Sequence, residues 1–175
     1  MTTECQKFFF KELRLKEPDY YLGIGSATQG EQTGRMLIKI EKCLVKEKPD
    51  WVVVYGDTNS TLAGAIVSSK LHIPLAHVEA GLRSYNKKMP EEINRILTDH
   101  CSDMLFAPTD TAVKNLEKKG ITQGVYKVGD VMFDLALEVR SKVKEEEVLK
   151  KFDLKSKEFI LVTIHRAENT DVKKI

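Results

Sequence analysis

Acidic and basic side chains follow three apolar runs of the chain, at the point where each run ends. GDTNST (56–61) follows WVVVY, EAGLRS (79–84) follows IPLAHV, and HRAENT (165–170) follows FILVTI. A partly buried carboxylate holds its proton more tightly and can act as an acid or a base. An imidazole can carry a proton or contact a phosphate. These residue types indicate proton transfer beside an anionic group.

Most of these residues also have a purely structural interpretation. Asp57 could cap the helix that follows it, because Asp, Asn, Ser and Thr are preferred at that position. Glu79 could be a solvated turn residue, and His77 is interpreted as a hydrogen-bonded structural histidine. The structural interpretation is weaker for His165, which ends an apolar run, and Arg166 beside it could bind phosphate.

The segment PEEINRILTDH (90–100) reads as the start of a helix with Pro90 in its first turn. Two adjacent glutamates would complement the helix dipole, and Glu91 could pair on the surface with Arg95, four residues on. The functional alternative is that Glu91 faces a cleft and Arg95 orients it. Local rules leave both interpretations open.

Strand-like and helix-like segments alternate along the chain. This alternation predicts an α/β fold, a Rossmann-like parallel sheet flanked by helices. The near-continuous apolarity of WVVVYG and FILVTI predicts strands covered on both faces. In such a sheet ligands bind at the carboxyl ends of the strands, where the polar residues stand. Strands are predicted at 51–56, 73–78, 103–108, 125–129 and 159–165, and helices at 32–45, 59–71, 91–101 and 109–118.

The heavily charged stretch 135–151 predicts a connecting helix between two domains. We therefore expect an incomplete N-terminal Rossmann-like domain over 1–142. Residues 143–175 would hold the rest of the connecting helix and the first strand of a truncated C-terminal domain.

Composition argues against several classes of protein. The net charge of +2 and the mixture of lysines with acids do not fit a nucleic-acid binder. No apolar run approaches a membrane span, and no signal peptide is recognisable, so a cytoplasmic protein is expected. Cys5, Cys43 and Cys101 are widely spaced and predict neither a disulfide framework nor a metal site. GIGSATQG (23–30) does not match GxGxxG and is interpreted as a flexible loop.

Four motifs together resemble one family. GDTNSTLAG, HVEAGLRS, MPEEINR and ILVTIHRAEN, in that order, closely resemble segments of the non-hydrolysing UDP-N-acetylglucosamine 2-epimerases, and the likeness runs over about 8–170. EPDYYLGIGSATQGEQTGRML (17–37) also looks like the corresponding family segment. The resemblance implies two Rossmann-like lobes around a cleft, as in the B-type glycosyltransferases. This chain would hold the first lobe, truncated at both ends, with most of the second lobe missing.

The resemblance also implies a reaction without a cofactor. Family members interconvert UDP-GlcNAc and UDP-ManNAc by eliminating UDP and adding it back through 2-acetamidoglucal. Two faces of C2 then need two acid/base groups. By position in the motifs, the catalytic residues would be Asp57, Glu79, Glu91 and His165. The residues that would support substrate binding are Arg83, Glu92, Asn94, Arg95 and Arg166.

Two other functions remain open from the sequence. The chain could be a catalytically inactive remnant that binds a nucleotide sugar or another subunit. A sugar-nucleotide glycosyltransferase lobe would fit the fold but not the paired-acid motifs. The expected partners are a UDP-sugar substrate and, by resemblance to the family, a second copy of the chain in a homodimer; no nucleic acid or membrane is expected.

Overall fold

The computed structural model describes Phe10 and residues 15–163. The chain divides into two compact units after Val131. The domains expected over 1–142 and 143–175 stay a prediction. His165, Arg166 and the end of the last predicted strand lie outside the described residues.

A parallel sheet forms the centre of the first unit and confirms the predicted fold class. The sheet has four strands in the order β1-β2-β3-β4, and each pairs with the next in parallel. The strands are β1 (Val52–Tyr55), β2 (Leu75–Val78), β3 (Met104–Ala107) and β4 (Val125–Lys127). The helices of this unit are α1 (Gln29–Glu47), α2 (Asn59–Lys70), α3 (Pro90–Cys101) and α4 (Asp110–Glu117).

The core lies between the sheet and the helices that connect its strands. Right-handed crossovers between sequential neighbours bring α2, α3 and α4 to the same face of the sheet. Leu75, Leu105 and Leu116 are fully buried there. Each such side chain contributes about 1.5–3 kcal/mol relative to full exposure. This burial fixes the strand register, and with it the positions of the residues that follow each strand.

Strand β1 is covered on one face only, so the prediction of burial on both faces is wrong for this strand. Val54 is 8% exposed, whereas Val53 and Tyr55 are 49% and 65% exposed. The reason lies in the connections, which all return on the side of Val54. In the first unit α2 packs against β1, and its Gly64 lies beside the side chain of Val54.

The charged stretch at the end of the chain is two helices, not the single connecting helix that was predicted. They are α5 (Val131–Lys142) and α6 (Glu145–Lys151). Three glutamates begin α6 and two lysines end it, which suits the dipole of a separate helix. The described part of the last predicted strand, 159–163, is not a strand. A strand without a paired neighbour has nothing to stabilise it. None of the helices in the described ranges could cross a membrane.

Candidate active site

Asp57 stands at the carboxyl end of β1 and is held by an arginine of α3. Its Oδ2 accepts a hydrogen bond from Arg95 Nη2 at 2.5 Å. The N-cap of α2 is Thr58, so Asp57 does not take the capping role that its position in the turn allows. The side chain of Asp57 is 30% exposed and that of Arg95 is 17% exposed, so a ligand can reach the Asp57 carboxylate while Arg95 fixes its orientation.

Glu92 links the same arginine to the loop after β2. Its carboxylate accepts hydrogen bonds from Ser84 N at 2.7 Å, Ser84 Oγ at 2.8 Å and Tyr85 N at 3.2 Å. Arg95 Nη1 donates to it at 3.2 Å. Burial alone would raise the pKa of Glu92, but the hydrogen bonds from Ser84, Tyr85 and Arg95 outweigh it and lower the pKa. Glu92 is therefore a structural carboxylate that orients Arg95.

Glu92→Gln is expected to destabilise the protein by about 2–3 kcal/mol at pH 7, because hydrogen bonds to a buried charge are lost. The pKa of Glu92 is lower in the folded protein than in the unfolded chain. The stabilisation is thus complete above the unfolded pKa of about 4.3 and is lost as the pH falls through the folded pKa. Urea unfolding at pH 7 and at pH 3 should show a large difference between variant and wild type only at pH 7.

The matched control is Glu117→Gln, which changes an exposed glutamate of α4 in the same way. We expect its free energy of unfolding to stay within about 0.5 kcal/mol of the wild type. Equal losses in the two variants would contradict the role assigned to Glu92.

Glu79 follows β2 and lies next to the turn that carries Asp57. A Cβ placed on Gly56 would be 3.5 Å from Glu79 Oε2, and Gly56 directly precedes Asp57. The backbone of Glu79 is left-handed, with φ of 72°. Burial raises the pKa of the Glu79 carboxyl, the charges of Asp130 and Asp57 raise it further, and His77 and Arg95 lower it in part. Glu79 is suited to hold and release a proton.

Asp130→Asn is expected to lower the pKa of Glu79, because the variant removes a like charge. Carbon-13 NMR of carboxyl-labelled glutamate would follow the titration of Glu79 directly. Asp50→Asn, at the opposite end of β1, removes an exposed aspartate and serves as the control. A Glu79 pKa that moves equally in both variants would contradict the effect assigned to Asp130.

Asn94 ties the turn after β1 to the starts of α1 and α2. Its Nδ2 donates to the Asp57 carbonyl oxygen at 2.9 Å and to Asn59 Oδ1 at 3.1 Å. Asn59 Nδ2 donates in turn to Gln29 Oε1 and Gln32 Oε1 at 2.8 and 2.7 Å. Asn94 therefore holds the backbone of Asp57 in place through a hydrogen bond.

Three of the predicted site residues are placed differently from the local expectation. Glu91 is exposed and forms no ion pair with Arg95, which contacts Asp57 and Glu92 instead. Neither alternative for this pair, a surface ion pair or Arg95 orienting Glu91, is found, because α3 turns Arg95 towards Asp57 and Glu92. The Arg83 side chain is 2% exposed, and its guanidinium pairs with Asp99 at 2.6 Å. The roles of Glu91 and Arg83 towards a substrate stay predictions.

The structure adds two residues that the sequence interpretation did not select. Asp99 sits on the buried side of α3, and no sequence signal marks it, because that side is polar while Ile93 and Leu97 are exposed. Asp130 follows β4, so the rule that led to Asp57 and Glu79 would have found it. Both lie outside the motif letters on which the resemblance depends.

The described residues contain no cluster of three or more His, Cys, Asp or Glu side chains that could hold a metal ion. A cavity of about 410 Å³ lies beside the 20–25 segment, Met36 and Ser60. The carboxylates of Asp57, Glu79 and Glu91 do not line it. The candidate site is thus the open surface at the carboxyl ends of β1 and β2.

Comparison with known proteins places this chain in a family. The sequence model described as UDP-N-acetylglucosamine 2-epimerase matches residues 1–175. The chain belongs to the UDP-N-acetylglucosamine 2-epimerase family. The predicted family resemblance is thereby confirmed, and the motifs around Asp57, Glu79 and Glu92 are family segments.

Several members of the family are similar over most of this chain. A UDP-N-acetylglucosamine 2-epimerase homolog of Methanococcus maripaludis is 56% identical over 172 residues, which are 97% of this chain and 48% of that protein. A UDP-2,3-diacetamido-2,3-dideoxy-D-glucuronate 2-epimerase of Pseudomonas aeruginosa is 54% identical over 168 residues, 94% of this chain and 46% of that protein.

A solved structure shows the same fold. The UDP-GlcNAc 2-epimerase of Methanocaldococcus jannaschii, in complex with UDP-GlcNAc and UDP, superposes with a TM-score of 0.88 at 56% identity. The match covers 95% of this chain and 47% of that one. The chain thus spans about half the length of the relatives it matches.

Proposed function

We propose that this chain supplies proton-transfer carboxylates of a UDP-GlcNAc 2-epimerase, which interconverts UDP-GlcNAc and UDP-ManNAc. The observation that carries the proposal is the pair formed by Asp57 and Glu79. They follow adjacent parallel strands, and Glu79 Oε2 lies against the residue that precedes Asp57. Two carboxylates beside one sugar ring could serve two faces of one carbon.

The reaction requires a proton to leave C2 while the bond from C1 to the UDP oxygen breaks. The electron pair of the C2–H bond becomes the C1–C2 double bond of 2-acetamidoglucal, and UDP departs with the electrons of its own bond. In the second half of the reaction the electron pair of the C1–C2 double bond takes up a proton at C2 on the opposite face, and the UDP oxygen forms its bond to C1 again. The raised pKa of Glu79 suits a group that takes up and returns a proton.

Other predicted residues take supporting roles in the proposed reaction. Arg95 orients Asp57, Glu92 orients Arg95, and Asn94 fixes the Asp57 backbone. Departure of a diphosphate needs positive charge or hydrogen-bond donors, and His165 and Arg166 are the candidates. Glu91 is exposed and accessible to a ligand.

Proton NMR of UDP-GlcNAc in deuterated water tests the proposal. Exchange at C2 accumulates with time, so long incubation with concentrated protein detects slow turnover as well. We expect loss of the H2 signal and formation of deuterated UDP-ManNAc. Folded protein that binds UDP-GlcNAc without any exchange would overturn the proposal and favour an inactive binding module.

The sugar itself is tested in the same experiment. The relative from Pseudomonas aeruginosa is named for a substrate with a second acetamido group and a carboxylate on the sugar. UDP-2,3-diacetamido-2,3-dideoxyglucuronate should therefore be run in parallel, and we expect faster exchange with UDP-GlcNAc.

The homodimer and the cytoplasmic location belong to the same proposal, and light scattering of the purified chain tests the dimer.

A further inference from the structure

A polar cluster is sealed from solvent behind the candidate site. The side chains of His77 and Asp99 are 0% exposed and that of Arg83 is 2% exposed. Arg83 Nη2 lies 2.6 Å from Asp99 Oδ2 without the alignment of a hydrogen bond, so the contact is chiefly ionic. Buried ion pairs add little net stability compared with apolar side chains of similar size. Stability alone does not account for this cluster.

His77 connects the cluster to the turn that carries Asp57. Its Nε2 is 2.8 Å from the carbonyl oxygen of Gly56 and its Nδ1 is 2.7 Å from Asp99 Oδ1. The predicted role of a hydrogen-bonded structural histidine is thereby confirmed. The carbonyl can only accept, so Nε2 donates to it, and Nδ1 and Oδ1 share one further proton. The imidazole thus ties Gly56 on the β1 side to α3.

Asp99 connects the same cluster to the loop that carries Glu79. Its Oδ2 accepts a hydrogen bond from Gly81 N at 3.2 Å, two residues after Glu79. On the other side of Glu79, the Val78 carbonyl accepts from Gly56 N at 3.0 Å. Glu79 therefore keeps its left-handed backbone between two anchored neighbours. A left-handed backbone costs a non-glycine residue conformational energy, so the contacts of the neighbouring residues must hold Glu79 in it.

We propose that His77, Asp99 and Arg83 are positioning residues that set the separation of the Asp57 and Glu79 carboxylates. The inference rests on the proposed function for its catalytic meaning. Within this cluster the hydrogen-bonded pair of His77 and Asp99 anchors Gly56 before Asp57 and Gly81 after Glu79, and Arg83 holds Asp99 by charge. Proton transfer depends steeply on such placement, since a misplacement of about 1 Å can cost 100-fold in rate.

A pair of variants separates positioning from simple packing. The amide nitrogen of His77→Gln can take the place of Nε2 and keep the donor to Gly56, whereas that of His77→Asn takes the place of Nδ1 and faces Asp99. Both variants lose the imidazole ring. We expect C2 exchange to be at least about tenfold slower in His77→Asn than in His77→Gln, with the dissociation constant for UDP-GlcNAc alike in both.

A second measurement on the same proteins needs no turnover. Carboxyl-labelled glutamate NMR reports the pKa of Glu79 in the ligand-free chain. We expect a lower pKa in His77→Asn than in His77→Gln, because the freed turn lets solvent reach Glu79. Equal Glu79 titration in the two folded variants overturns the inference. Absence of C2 exchange in the wild type overturns the proposed function instead and leaves this titration to decide.

Asp99→Asn keeps the inference testable if the histidine variants do not fold. It preserves the shape of the side chain and removes the charge shared by His77 and Arg83. We expect C2 exchange to fall about tenfold or more while the dissociation constant for UDP-GlcNAc changes less than about twofold. Where the wild type shows no exchange, a shift of the Glu79 titration in this variant replaces that readout. Folded Asp99→Asn with wild-type exchange, or with an unshifted Glu79 titration, overturns the inference.

Discussion

Asp57→Asn is expected to slow hydrogen exchange at C2 of UDP-GlcNAc by about 100- to 10,000-fold, the usual effect of removing a general acid or base. An asparagine keeps the size of the side chain and can still accept from Arg95. It cannot take up the C2 proton. Proton NMR in deuterated water measures the rate, and thermal unfolding shows whether the variant is folded.

The matched control for this variant is Asp50→Asn. Asp50 is an exposed aspartate just before β1, at the opposite end of the strand from Asp57. We expect its exchange rate to lie within about twofold of the wild type, because a surface substitution away from the site leaves stability nearly unchanged. A rate in folded Asp57→Asn equal to that in Asp50→Asn would remove Asp57 from the reaction.

Gly81→Ala is expected to cause a large loss of stability. Gly81 has φ of 79°, and an added Cβ would lie 2.4 Å from the carbonyl oxygen of Ala112. The left-handed backbone costs an alanine about 1 kcal/mol, and forced repacking adds about 1–3 kcal/mol. Urea unfolding should show a total loss of about 2–4 kcal/mol, or no folded protein.

Gly120→Ala isolates the backbone part of this loss. Gly120 has nearly the same φ, 77°, but a Cβ there would meet nothing within 4 Å. We expect Gly120→Ala to lose only about 1 kcal/mol. Similar losses in the two variants would mean that the loop after β2 moves away from α4 at little cost. Glu79 would then be less firmly held than the contacts indicate.

The sequence by itself determined the strands and helices of the first unit, the family and the end of the sheet where chemistry is proposed. Apolar runs that alternate with helical periods predict a parallel sheet, because local patterning sets the type of each element. The rule that ligands bind at the carboxyl ends of parallel strands then selects Asp57 and Glu79, because these ends lie together at one end of the sheet. The same rule applied to VYKVG would have added Asp130.

Only the tertiary structure decided which charges meet. Arg95 has Glu91 within one helical turn, yet it contacts Asp57, which lies 38 residues away in the chain. Arg83 stands in a motif loop, yet its guanidinium is buried against Asp99. Periodicity describes neighbours along one helix or strand, whereas these ion pairs join α3 to the loops after β1 and β2. Their partners follow from the packing of α3 against the sheet, because burial favours the charge arrangement in which every buried acid has a donor.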